Sequence, residues 1–339
     1  MVSIPIAIVG AGGMGGRHLR ALGALYESGM ANVELVAVCD TREENAIHLA
    51  DKAEEMLGSR PEIFTSMEDM KKKRPDIEAV DITTDSGSHH LVAEMAFDLG
   101  YNVLCEKPLS LTVRGCNRVI DAWKRSGKVL SVGEQERRDP MCRLNKALLD
   151  SGAIGDPYSF LLGSARGGND IIIWPWRHYK NIGGIFVDAG VHAVDQMMYY
   201  LGDIEEVYAV SKVWEPKRYK GEKIGVAHFY EHWASEVPDE IDATAEDMVI
   251  STLKFKNGAV GQWTSFWAAH GETTEYAMIY GSKGSMAPAK QRRGNPLKLT
   301  IDGVGVVSGD DVLELVPDFH LDELTTRLFG SDRLGSYDT

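Results

Sequence analysis

Apolar positions along this chain follow two regimes that change near residue 134. In the first, short unbroken apolar runs alternate with stretches where apolar side chains recur every three or four residues. The runs at 4–9, 34–39, 63–65, 79–83 and 102–105 read as buried strands, with another short one at 128–132. Residues 17–26, 43–57, 67–73, 91–99 and 113–126 between them read as helices, Leu19, Leu22 and Leu25 marking the inner face of the first. This alternation predicts a doubly wound parallel sheet with right-handed crossovers and helices on both faces.

The charged stretch from Glu134 to Pro140 marks the expected crossing between domains at 1–135 and 136–339. Beyond it lie a helix at 142–149 and strands at 158–162, 207–213, 249–255, 260–266 and 276–280. Asn257-Gly258 predicts a two-residue hairpin loop, so the second domain is expected to be an antiparallel sheet. A helix within residues 183–202 should turn Val191, Val194, Met198 and Leu201 to the core. Asp188, His192 and Asp195, spaced four and three apart, would then line one side of that helix. Asp188 could serve there as no more than a helix cap, and Asp195 is expected to pair with a neighbour such as Arg177 or with a backbone group.

Composition narrows the class. At 339 residues the chain has room for two domains, and 44% apolar with 25% charged residues suits ordinary cores. A formal charge of -14 argues against nucleic acid or an anionic membrane as partner. The first apolar run is broken by Pro5 and lacks a basic leader, so neither a signal peptide nor a membrane span is expected. Cys39, Cys105, Cys116 and Cys142 show no CxxC spacing, which fits reduced thiols in a cytoplasmic protein.

Three stretches carry candidate chemistry. Gly10-Ala-Gly12-Gly13-Met14-Gly15 joins the first strand to the first helix, with Gly10 for a tight turn, Gly12 for backbone approach to a pyrophosphate and Gly15 for close helix packing. Asp40 ends the second strand, where a carboxylate accepts ribose hydroxyls and opposes a 2'-phosphate. Arg42 partly offsets that charge, so NAD is expected and NADP remains possible. The second stretch, Glu106-Lys107-Pro108, follows the fifth strand at the sheet edge where ligands bind, and Pro108 keeps Lys107 out of helical geometry. The third contains Asp188 and His192. Arg137, Arg138, Arg166, Trp174, Trp176, Arg177 and His178 would suit a sugar ring, a carboxylate or a phosphate equally. His228 and His232, beside Glu231 and Glu236, have metal-ligand spacing, yet no metal is expected.

In this order, GAGGMG, TTDSGSHH, CEKP, GGIFVDAGVHAVD and IYGSKGSM resemble the Gfo/Idh/MocA family of NAD(P)-dependent sugar and cyclitol dehydrogenases across residues 4 to about 290. The resemblance implies a Rossmann domain followed by a large open, mostly antiparallel sheet with helices on one face, whose free face forms dimers or tetramers. It implies catalysis by Lys107, Asp188 and His192. Cofactor contacts would come from Gly10, Gly12, Gly13, Met14, Gly15, Asp40, Thr41, Arg42, Thr83, Thr84, His89, Glu106 and Lys107. Substrate contacts would come from Arg138, Trp176, Arg177, His178, Asp188 and His192. Two departures stand out: Thr84-Asp85 replaces the family's usual Thr-Pro, and the chain is expected to be short at its C-terminus. A non-catalytic NAD(P)-binding sensor and a hydrolase or lyase cycling a tightly held NAD remain the rival classes.

Overall fold

A computed structural model describes residues 3–221, 230–289 and 297–329. The chain divides into two compact units. The first comprises residues 1–133 together with 173–188 and 220–239, and the second comprises 134–172, 189–219 and 240–339.

The first unit begins as β1 (Ile4–Val9), α1 (Gly13–Glu27), β2 (Val33–Cys39), α2 (Glu43–Leu57), β3 (Glu62–Phe64) and α3 (Met67–Lys73). It continues as β4 (Ala79–Ile82), α4 (His89–Asp98), β5 (Asn102–Cys105), α5 (Val113–Ser126) and β6 (Leu130–Val132). All six strands are parallel, in the order β3-β2-β1-β4-β5-β6. Both faces are covered, which is why the strands read as continuous apolar runs. Ile6 and Ile8 meet Leu19, Leu22, Leu49 and Ala53, while Ala7 and Val9 join Met70, Ala93, Phe97 and Val119. The direction of strand order reverses beside β1, opening a crevice at the carboxyl ends of β1 and β4. Helix α1 starts at Gly13, four residues before the predicted start at Arg17. Its glycine-rich first turn has low intrinsic propensity, but tertiary packing overrides that, as the close seat of Gly15 shows below.

The chain then runs through α6 (Pro140–Asp150), β7 (Pro157–Gly167), α7 (Gly184–Asp188), α8 (Gly190–Leu201), β8 (Ile204–Lys212), β9 (Lys217–Tyr219) and β10 (Glu240–Asp242). It closes with β11 (Met248–Phe255), β12 (Val260–Ala269), β13 (Thr274–Gly281), β14 (Gly284–Ala287), β15 (Lys298–Ile301), β16 (Gly305–Ser308) and α9 (Glu323–Phe329). Of these, α7 belongs to the first unit. An eight-stranded sheet, β16-β15-β14-β13-β7-β12-β11-β8, forms the second. It is antiparallel except that β7 and β12 pair in parallel. Helices α6 and α8 cover one face, where Leu144, Leu148, Met197 and Tyr200 meet Phe160, Phe255 and Ile279. On the other face Tyr208, Val210, Ile250, Val260, Tyr276 and Tyr280 are exposed.

Three expectations for the chain beyond residue 134 need correction. The loop between β11 and β12 spans residues 256–258, closed by Phe255 N–H to Ala259 O at 2.9 Å, and only Gly258 has positive φ (88°). A three-residue loop ending in a left-handed glycine replaces the two-residue turn. The predicted single helix is broken at Ala189, so Asp188 ends α7 while His192 and Asp195 lie on α8. The core face of α8 is also rotated from the predicted one. Leu201 lies in the core as predicted, but Met197 and Tyr200 join it, because Gly261 leaves room for the Met197 side chain and buried Asn145 donates to the Tyr200 hydroxyl at 3.0 Å, whereas Met198 is exposed.

Candidate active site

Val9 hands the chain to Gly10, whose φ of 101° favours glycine, and a Cβ there would fall 2.6 Å from Thr84 N. At Gly15 a Cβ would sit 2.4 Å from Gly10 O, so the start of α1 lies directly on the turn. Gly12 is different: nothing lies within 4 Å of a Cβ built there, and no side chain caps α1. Open space in front of uncapped N–H groups is the cradle a pyrophosphate requires.

The cradle forms one end of a cavity of about 560 Å³ contained in the first unit. Its lining brings together Gly10, Gly12, Gly13, Met14, Asp40, Thr41, Thr83, Thr84, His89, Glu106, Lys107, Trp176, Arg177 and Asp188, all singled out from the sequence. Gly15 lies behind the turn, and Arg42 and His178 are likewise not part of the lining. Arg42 instead bonds to Glu44 at 3.0 Å and Glu236 at 3.4 Å on the surface, and His178 is buried.

Asp40 accepts from Ala11 N–H at 2.7 Å on one oxygen and from Arg42 N–H at 2.8 Å on the other. A carboxylate has about four acceptor positions, so both oxygens retain capacity for ribose hydroxyls. Thr83 donates its hydroxyl to Gly10 O at 2.6 Å, locking β4 to the glycine turn. His89, 2% exposed, lies with its ring nitrogens 2.7 Å from Pro108 O and 3.0 Å from Thr84 O. It therefore ties the loop after β4 to the turn after β5. These residues fit a bound dinucleotide.

At the other end Lys107 donates to Asp188 Oδ1 at 3.0 Å and to the Asp188 carbonyl at 2.8 Å. Arg177 reaches the second oxygen of Asp188 at 2.9 Å. One buried carboxylate thus balances two cations, so Asp188 is an anchor and not a helix cap. Arg177 also lies over the Trp176 ring, 5.1 Å from its centroid. Tyr230, which the sequence reading missed, adds a wall to the cavity and stacks on Trp174 at 4.9 Å. Burial raises its phenol pKa above the ordinary value. Nothing in a loop stretch 123 residues after Lys107 signalled that role.

His192 and Arg138 belong to the second unit. His192 Nδ1 lies 2.8 Å from Glu134 Oε2, a partner the sequence reading passed over. Asp195 pairs with Arg137, not Arg177, through an Nε–Oδ2 bond of 2.8 Å. His18 was also missed: it bonds Asp81 at 2.7 Å and Glu106 at 3.0 Å. Those partners lie 63 and 88 residues away in sequence, so no local pattern announces them. The possible metal pair is half outside the described residues, since His228 is not among them, and the His232 ring stacks on His48 at 3.9 Å. No group of three or more potential metal ligands occurs among the described residues.

A six-stranded parallel sheet with this glycine turn, in a chain whose second unit is a broad open sheet, defines a two-unit fold of the dinucleotide-binding class, and sequence profiles place it further. Residues 4–134 match the oxidoreductase family, NAD-binding Rossmann fold, and residues 143–287 match the GFO/IDH/MocA C-terminal domain. The chain belongs to the Gfo/Idh/MocA family. It is 31% identical over 234 residues to levoglucosan dehydrogenase of Pseudarthrobacter phenanthrenivorans, covering 65% of this chain and 57% of that protein. Inositol 2-dehydrogenase of Salmonella typhimurium is 31% identical over 218 residues, covering 64% of this chain and 59% of that protein. The matches thus span less than two thirds of these relatives. A structure of levoglucosan dehydrogenase in complex with NADH and L-sorbose superposes with a TM-score of 0.72 at 27% identity, covering 91% of this chain and 80% of that one.

Proposed function

We propose that this protein oxidises a secondary hydroxyl of a sugar, cyclitol or sugar derivative, with NAD as the favoured hydride acceptor and NADP as the alternative. The observation that carries this reading is the Lys107 ammonium, fixed by Asp188 in the same cavity as the glycine turn and Asp40. The nicotinamide, when bound, supplies the hydride-accepting chemistry. Lys107 hydrogen-bonds the oxygen on which negative charge develops, and Asp188 together with Arg177 keeps that ammonium in place. His192 takes the hydroxyl proton in this reading, and its support is local: Glu134 orients the ring through Nδ1, leaving Nε2 for the proton. The named substrates of the relatives, levoglucosan and inositol, support a neutral polyol over a phosphate.

The exposed apolar residues on the bare face of the second unit support self-association through that sheet. Four unpaired thiols support a reducing, cytoplasmic setting, and no helix among the described residues is long and apolar enough to cross a membrane.

The deciding experiment follows reduced nicotinamide by its absorbance while cyclitols, aldoses, anhydrosugars and glycosides are offered with NAD and NADP. Stoichiometric NADH with at least one polyol is expected. Lys107→Met should lower turnover about 100-fold or more while NADH still binds. A silent panel, or a fully active Lys107→Met protein, would defeat the reading.

A further inference from the structure

His18 stands on α1, one turn past the glycine cradle, and is not part of the cavity lining. Its Nδ1 lies 2.7 Å from Asp81 Oδ2 on β4, and its Nε2 lies 3.0 Å from Glu106 Oε1 just after β5. All three side chains are largely buried, at 18%, 11% and 9% exposure. Carboxylate oxygens only accept, so a ring that satisfies both of them carries a proton on each nitrogen. The other oxygen of Glu106 accepts the Lys107 backbone N–H at 2.9 Å. A continuous path of bonds therefore runs from α1 through His18 and Glu106 to the main chain of Lys107. Pro108, which follows, offers no N–H that could substitute.

We propose that His18 is a positioning residue: by bridging Asp81 and Glu106 it fixes the Glu106 carboxylate against the Lys107 backbone and sets where the Lys107 ammonium stands relative to the glycine turn. Without the imidazolium, Asp81 and Glu106 become two buried carboxylates in one site, which repel, and Glu106 leaves Lys107. Asp81 and Glu106 are the charged groups that face His18 from β4 and from the end of β5. Cys105 feels the same two charges, and burial with those charges pushes its thiol well above the ordinary range. Burial alone would lower the His18 pKa, but hydrogen bonds to and charges on Asp81 and Glu106 overcome that and hold it up at about 10.

Two measurements on the full-length protein test this without any turnover. Lys107 is acetylated with an N-hydroxysuccinimide ester, and its rate is divided by that of exposed Lys124 to cancel reagent and pH effects. The ratio should rise several-fold in His18→Leu and less in His18→Gln, which keeps one donor. Ratios equal to wild type in both variants would overturn the proposal. Nitrogen NMR of histidine-labelled wild type needs no variant: both His18 ring nitrogens should remain protonated up to the raised pKa of about 10. A ring that has already lost a proton at neutral pH would equally overturn it. A third readout rests on the dehydrogenase reading: His18→Gln should lower kcat about 10- to 100-fold, with KM changed far less. Equal loss through KM would overturn the positioning role, whereas a protein that oxidises no alcohol ends only the dehydrogenase reading and leaves the acetylation and NMR results to decide.

Discussion

Asp40 places two demands on one carboxylate. It holds Ala11 and Arg42 by their backbone N–H groups, and it lines the cavity proposed to take the dinucleotide. Asp40→Ala should therefore raise the use of NADP relative to NAD and also lower unfolding free energy by about 1–3 kcal/mol, since the Ala11 N–H loses its acceptor. Steady-state kinetics with both cofactors and denaturant unfolding separate the two effects. His18 makes a different prediction. Its folded pKa of about 10 exceeds the ordinary 6.5, so the stabilisation it provides is complete below about 6.5 and disappears as pH rises through about 10. The melting temperature should fall over that window in wild type, and the fall should be shallower in His18→Gln. Parallel curves for the two proteins would contradict this.

At the scale of elements, the glycine turn and a buried ion pair are the sensitive joints. Gly10→Ala puts a Cβ 2.6 Å from Thr84 N at positive φ, so NADH affinity should collapse and stability should drop together, as read by fluorescence titration and unfolding. In the second unit Arg218 is fully buried, donating to Gly168 O and Trp267 O at 2.9 Å and to Asp247 at 2.8 Å. Asp247 in turn accepts from Trp214 and Glu215 N–H. Asp247→Ala strands that guanidinium and should cost about 3–5 kcal/mol, whereas replacing both partners with apolar residues should cost less. How much of this was legible depended on the range of the interaction. The strands of the first unit were readable because burial on both faces leaves unbroken apolar runs, and the cradle because Gly10 and Gly15 answer local steric demands. Asp188 was expected on one helix with His192 and Asp195, since the spacing is helical, but Ala189 breaks the run and Asp188 ends α7. His18, Tyr230 and Arg218 were invisible because their partners come from remote segments.

For the molecule as a whole, the bare face of the eight-stranded sheet should govern assembly. Tyr208 and Val210 on edge strand β8 lie across from Thr252 and Ile250, so the apolar patch spans neighbouring strands. Tyr208→Lys with Val210→Glu should shift sedimentation towards the monomer, and an unchanged species would assign assembly to another surface. A last consequence follows from the three separate stretches of chain that build the first unit. A gene fragment ended at residue 133 would encode the dinucleotide turn but neither Asp188, Arg177 nor Tyr230. Such a fragment would leave the Lys107 ammonium without the carboxylate that holds it.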